Sequence, residues 1–197
     1  SPHRVSVFDR IVPKYTRQSD TPGYESAEID AIRTYCREGD KVVIIGAGRG
    51  ITPTIAAISV GEEGEILAYE ASADRISQAC RIIQHNNESE QISIHHKIIG
   101  KAEDVAGKIG SASTLSPDEL PNCDYLEIDC EGAEELILEE MSMSPRIISV
   151  ETHETKGVSH KKVVELLKNH GYEIVEKTDK TDQVEGIRHL VAKLKAE

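Results

Sequence analysis

At 197 residues the chain is long enough to close one hydrophobic core without disulfides or a structural metal, and its 35 acidic against 23 basic side chains leave a formal net charge of −12. A field of that sign repels a phosphate backbone and disfavours a nucleic-acid substrate. No apolar run approaches the roughly 18 residues that span a bilayer, and the opening SPHRVSVFDR lacks the apolar centre of an export signal, so a soluble, cytoplasmic protein without membrane attachment is expected.

Residues 1–24 read as a mixed amino-terminal segment, and residues 25–197 as one domain. The stretch YESAEIDAIRTYCREGD spaces Ala27, Ile29, Ile32 and Tyr35 for a helix that stops at Gly39. Strand-like runs then recur as KVVIIG, EILAYE, ISIHHKII, DYLEID, RIISVE, YEIVEK and IRHLVAKL. Helical patterns separate most of them: ITPTIAAISV, SADRISQACRIIQHNN, EGAEELILEEM and SHKKVVELLKNHG. Such alternation predicts an α/β fold in which parallel strands are joined by right-handed crossovers and helices cover both faces. The last two strands have only the polar TDKTDQVEG between them, too short for a helix, and so are expected to form an antiparallel hairpin at the sheet's edge. GKIGSASTLSPDELP (residues 107–121) reads as one long loop. The four cysteines (Cys36, Cys80, Cys123 and Cys130) show no CxxC spacing, and reduced thiols are expected rather than zinc or a redox pair.

The first strand runs into Gly46-Ala47-Gly48-Arg49-Gly50. In an open α/β sheet the ligand sits beyond the carboxyl ends of the strands, where strand order reverses, and glycines there let the backbone turn sharply and come close to it. Glu70 ends the second strand, with Ala71 beside it, twenty residues beyond Gly50. A carboxylate there suits the two ribose hydroxyls of an adenosine. Both nicotinamide and adenosylmethionine sites share that feature. A dinucleotide fingerprint puts its third glycine five positions after the first, whereas here the pattern is GxGxG, which resembles the first motif of Rossmann-like methyltransferases that use S-adenosylmethionine. Those enzymes usually carry an acid two positions before the first glycine, where this chain has Ile44. CDYLEIDCEGAEELIL (Cys123 to Leu138), followed by PRIISVETHE, resembles the FkbM type, in which Asp-x-Glu-Gly-Ala-Glu ends the fourth strand and Glu-x-His the fifth.

The resemblance implies a doubly wound, seven-stranded, mostly parallel sheet and methylation of a hydroxyl on a sugar, polyketide or other small metabolite. It implies cofactor contacts from Gly46, Ala47, Gly48, Gly50, Glu70, Ala71 and Asp129, and from Lys101, Ala102, Glu103 or Asp104 on the adenine side. Methyl transfer to oxygen requires alignment and loss of the acceptor's proton. Asp129, Glu131 and Glu134 surround the end of the fourth strand, and Asp129 is expected beside the methyl group, with a helix N-cap as its plain alternative. Glu151 and His153 alternate along the fifth strand and so share a face. A neutral imidazole suits a general base near neutral pH, which makes His153 the candidate. His153 with Asp129 and Glu151 has the donor types to hold a divalent cation, but nothing specific demands one. His95 and His96 read as packing and surface residues, and His160, Lys161 and Lys162 as a solvated face. An NAD-dependent oxidoreductase, an adenosylmethionine-binding protein without turnover, and an RNA or protein methyltransferase are the competing readings.

Overall fold

The computed structural model describes residues 26–86, 90–100, 111–179 and 185–196. The segment 1–24 and the residues Lys101, Ala102, Glu103 and Asp104, expected on the adenine side, lie outside them. In chain order the elements are α1 (Ser26–Tyr35), β1 (Lys41–Ile45), α2 (Ile51–Val60), β2 (Glu65–Glu70), α3 (Ala73–His85), β3 (Ile92–Ile99) and β4 (Ser113–Leu115). There follow β5 (Tyr125–Ile128), α4 (Glu134–Glu140), β6 (Ile147–His153), α5 (His160–Asn169), β7 (Tyr172–Asp179) and β8 (Ile187–Leu194).

The described strands form one sheet in the order β4-β3-β2-β1-β5-β6-β8-β7. Neighbours from β4 to β6 are parallel, and β8 runs antiparallel between β6 and β7. The expected doubly wound sheet with its terminal hairpin is present. It has eight strands rather than seven. The additional one, β4, lies inside the stretch read as a loop, where Ser113, Thr114 and Leu115 pair with Lys97, Ile98 and Ile99. Three residues are too few to show a period of two, so the pairing and not the local pattern makes this a strand.

Each central strand is apolar on both sides, as a sheet covered on both faces requires. Val42, Ile44, Ile66 and Tyr125 pack with Ala31 and Ile32 of α1 and Ile55 of α2. Val43, Leu126, Ile128, Ile148 and Val150 pack with Ile137 and Leu138 of α4 and Val163 and Leu167 of α5. At the amino ends of the strands, Arg146 binds the Asp40 carboxylate at 2.6 Å and the carbonyl of Tyr35 at 3.1 Å, tying the end of α1 to the entries of β1 and β6. Ser72 and Ser159 cap α3 and α5 by accepting the amides of Arg75 and Lys162.

One histidine departs from its expected place and another keeps it. His160, expected on a solvated face, is buried, with its Nδ1 3.5 Å from the Thr152 hydroxyl; Lys161 is exposed and Lys162 pairs with Glu139. The helix turns its first residue inward because position 160 lies one turn before Val163, on the buried face. His95 stacks on Tyr69 with ring centroids 5.3 Å apart, as a packing residue would.

Candidate active site

Strand order reverses at β1, which lies between β2 and β5. A crevice opens there at the carboxyl ends, lined by Gly46, Glu70, Ala71, Arg75, Ile99 and Asp129, among others. Its floor is made by backbone. The amides of Gly46 and Ala47 donate to the carbonyl of Tyr69 at 2.9 and 3.0 Å, which folds the glycine loop over the end of β2. Gly46 has φ +97°, and a Cβ there would lie 1.8 Å from the carbonyl oxygen of Asp129. The first glycine is therefore required by β5, whose end comes against it, and this link ties the loop to Asp129.

Gly46→Ala should destabilise the protein by at least ~2 kcal/mol, since the left-handed backbone costs roughly 1–2 kcal/mol in an L-residue and overpacking adds about 1–3 kcal/mol. Urea unfolding measures it. A midpoint equal to the parent's would show that the strand ends separate without cost.

Gly50 is set by a different neighbour. It has φ +87°, and its Cβ would meet the backbone of Ala79 in α3 at 2.7 Å, so the third glycine lets α2 start close against α3. Gly48 has φ +53° and donates its amide to Glu70 Oε2 at 2.8 Å, while the Ser72 amide donates to Oε1 at 2.7 Å. Glu70 is buried, and both its oxygens carry one backbone bond each. A carboxylate has about four lone-pair sites, so two acceptor positions remain for a ribose diol. Glu70 thus fits an adenosine while also holding the loop. Ala71 lies at the crevice wall, its carbonyl 3.1 Å from His96 Nε2.

Ile44 is fully buried in the core. Its register partner across β1 and β5 is Glu127, also buried, so the acid missing from β1 is present one strand over at the same level.

Beyond β5 the chain turns through Asp129, Cys130, Glu131 and Gly132 into α4. Glu131 adopts φ +58°, a left-handed conformation unusual outside glycine. Its carboxylate meets Arg75 of α3 at 3.2 Å, across residues that line the crevice. Asp129 does not cap α4, whose N-cap is Ala133. Asp129 faces the crevice on one side and His153 on the other, with Oδ1 3.6 Å from Nε2.

Glu151 and His153 do share a face, as the alternation required: Glu151 Oε1 lies 3.3 Å from Nε2. The partner that sequence reasoning did not assign is Glu134. This fully buried carboxylate accepts from His153 Nδ1 at 2.5 Å with one oxygen and from the Gly132 amide at 2.9 Å with the other. Its position in the first turn of α4 directs it inward, but its partner is nineteen residues downstream on another strand, and no local pattern announces that.

Three carboxylates thus converge on one imidazole. Burial alone would push its pKa down, but the hydrogen bonds to Glu134 and Glu151 and the charges of Asp129 and Glu134 outweigh burial and raise it to about 10. The environment is opposite to the neutral imidazole expected from the sequence. These partners favour the charged imidazole, which works against His153 as the proton acceptor.

The described cysteines are free thiols, and burial pushes those of Cys36, Cys123 and Cys130 up, away from thiolate chemistry. Among the described residues no helix is long and apolar enough to cross a membrane.

The fold is shared with solved methyltransferases. An S-adenosylmethionine-dependent O-methyltransferase from Thermotoga maritima superimposes with a TM-score of 0.62 at 14% identity, over 98% of this chain and 72% of that one. A SAM-dependent methyltransferase from Aquifex aeolicus gives 0.57 at 14% identity, over 93% and 98%. The fibrillarin pre-rRNA processing protein of Methanococcus jannaschii gives 0.56 at 16%, over 82% and 69%. No curated protein matches the chain. These proteins share the fold of the Rossmann-like methyltransferases, and the chain has that fold. Within that class, residues 113–174 match the methyltransferase FkbM domain, the type that the Asp-x-Glu-Gly-Ala-Glu and Glu-x-His elements resemble.

Proposed function

We propose that residues 25–197 form a domain that methylates a hydroxyl on a small metabolite or sugar, and that it works in the cytoplasm. The observation that carries this reading is the position of Asp129, which lines the cofactor crevice and also faces the Glu151 and His153 side chains. Gly46, Ala47, Gly48 and Gly50 shape the loop over the cofactor, Glu70 receives its ribose hydroxyls, and Ala71, with Lys101, Ala102 and Glu103, serves the adenine side. Bound there, S-adenosylmethionine would supply an electrophilic methyl group on positively charged sulfur for an acceptor oxygen.

Asp129 and Glu151 hold the acceptor hydroxyl and take its proton. His153, anchored by Glu134, fixes the direction of both carboxylates. This division assigns proton removal to the carboxylates and gives the imidazole the task of orienting them. A polyanionic acceptor such as RNA is opposed by the net charge of −12, although structural neighbours include proteins named for RNA as well as O-methyltransferases.

The test is a screen of small hydroxylated metabolites for adenosylhomocysteine release, with mass spectrometry to locate the added methyl on oxygen. Turnover only on RNA or protein would overturn the acceptor assignment. Cofactor binding without turnover on any class would favour a binding protein.

The ribose contact is tested separately. Glu70→Gln removes a charged acceptor whose hydrogen bonds contribute about 1.5–3 kcal/mol, and its NH2 would face one of the two backbone amides that now donate to the carboxylate. Calorimetry should show adenosylmethionine affinity reduced by roughly tenfold to a hundredfold. Equal affinity in parent and variant would place Glu70 outside the site.

A further inference from the structure

Asp129 and Glu151 lie at the ends of adjacent parallel strands, with His153 at the tip of the second. One donor atom from each of the three lies within 4.8 Å of the others. Two carboxylate oxygens and one imidazole nitrogen form a mixed donor set. Carboxylates suit hard divalent ions, imidazole suits the later first-row metals, and Mn²⁺ accepts both.

The surroundings favour a cation over a closed ion-pair cluster in two further ways. Glu134, fully buried and held by the Gly132 amide, occupies Nδ1 of the imidazole, the nitrogen that faces away from Asp129 and Glu151. A carboxylate on the distal ring nitrogen is the arrangement that fixes the tautomer of a metal-binding histidine and leaves Nε2 for the ion. The site is also open on one side. The Asp129 side chain keeps 27% of its surface exposed, at the crevice wall, whereas those of His153 and Glu151 keep 7% and 10%. An ion held there has protein behind it and the crevice in front.

We infer that Asp129, Glu151 and Nε2 of His153 form a site for a divalent first-row cation such as Mn²⁺, with Glu134 as the positioning residue, and that an acceptor hydroxyl coordinates this cation. The acceptor half of the inference rests on the methylation proposed above. Three protein donors leave positions of a six-coordinate ion for water and acceptor oxygens. The site therefore favours acceptors carrying two neighbouring oxygens, such as vicinal hydroxyls or a hydroxyl beside a carboxylate. A coordinated hydroxyl is more acidic than a free one. In the loaded site one oxygen of each carboxylate binds the ion, and the proton passes to the other oxygen of Asp129 or Glu151.

The experiment is a titration of the chelator-treated 197-residue chain with Mn²⁺, read by the loss of the free-ion electron paramagnetic resonance signal, with Mg²⁺ and Zn²⁺ as competitors. One site per chain is expected. Glu151→Gln should weaken Mn²⁺ at least tenfold, and Glu134→Gln by about ten- to a hundredfold, the usual effect of losing an outer partner of a ligand. Circular dichroism and cofactor calorimetry on the same samples check that each variant is folded; retained cofactor affinity with weakened Mn²⁺ separates positioning from a structural effect.

The inference is overturned if the parent leaves all three ions free at millimolar concentration, or if it binds Mn²⁺ equally in both folded variants. Its failure is distinguishable from failure of the functional reading. Cofactor binding and hydroxyl methylation unchanged by chelator would sink the cation site alone, while Mn²⁺ binding at Glu151 without methylation of any hydroxyl would sink the acceptor assignment alone.

Discussion

His153→Ala is expected to destabilise the metal-free protein by about 3–5 kcal/mol near neutral pH, because it leaves three closely placed carboxylates without their shared countercharge. Glu134 is fully buried, and Glu151 and Asp129 keep only part of their surface in water, so solvent cannot replace the imidazolium. The pH dependence follows from the direction of the shift. The folded imidazole titrates near 10 and the unfolded one near 6.5, so the stabilisation is complete below pH 6.5 and is lost as pH rises through 10. The groups facing the ring are Asp129 after β5, Glu134 of α4 and Glu151 of β6. Urea midpoints of the chelator-treated parent should fall across that window, and the gap between parent and variant should narrow toward its upper end. A variant as stable as the parent at neutral pH, or a parent that gains stability through the window, contradicts the charged assignment.

Asp129→Asn should lower methyl transfer by about a hundredfold to ten-thousandfold, the range associated with a positioned proton acceptor. The same substitution should weaken cofactor binding, because Asp129 also lines the crevice, and in the proposed function its charge complements the sulfonium. Loss of both properties distinguishes Asp129 from Glu151, whose replacement by Gln should spare the cofactor. Single-turnover rates together with calorimetry make the comparison. Parental turnover in the Asn variant would remove Asp129 from the site, and the proton would then have to leave through Glu151.

Much of the site was legible in sequence because its parts are local. GxGxG marks the sharp turn after β1, Glu70 ends a recognisable strand, and the i, i+2 spacing of Glu151 and His153 puts them on one face whatever surrounds them. The reason for each glycine was not legible. Gly46 is fixed by the carbonyl of Asp129 and Gly50 by the backbone of Ala79, both distant in sequence. The charge on His153 was missed for a similar cause. A reference pKa describes an imidazole in water, and the one found here is set by carboxylates from three separate elements.

The sequence alone determined the alternation of strands and helices, the closing hairpin and the end of the sheet at which the crevice opens, because periodicity and loop length act within a few residues. Tertiary structure decided the rest. It placed β1 beside β5 so that Gly46 and Asp129 meet, recruited Ser113–Leu115 as an eighth strand by offering it the edge of β3, and brought Glu134 back onto His153. Each of these is a contact between residues far apart in the chain. Its energy comes from burial and pairing, and those exist only once the sheet has closed.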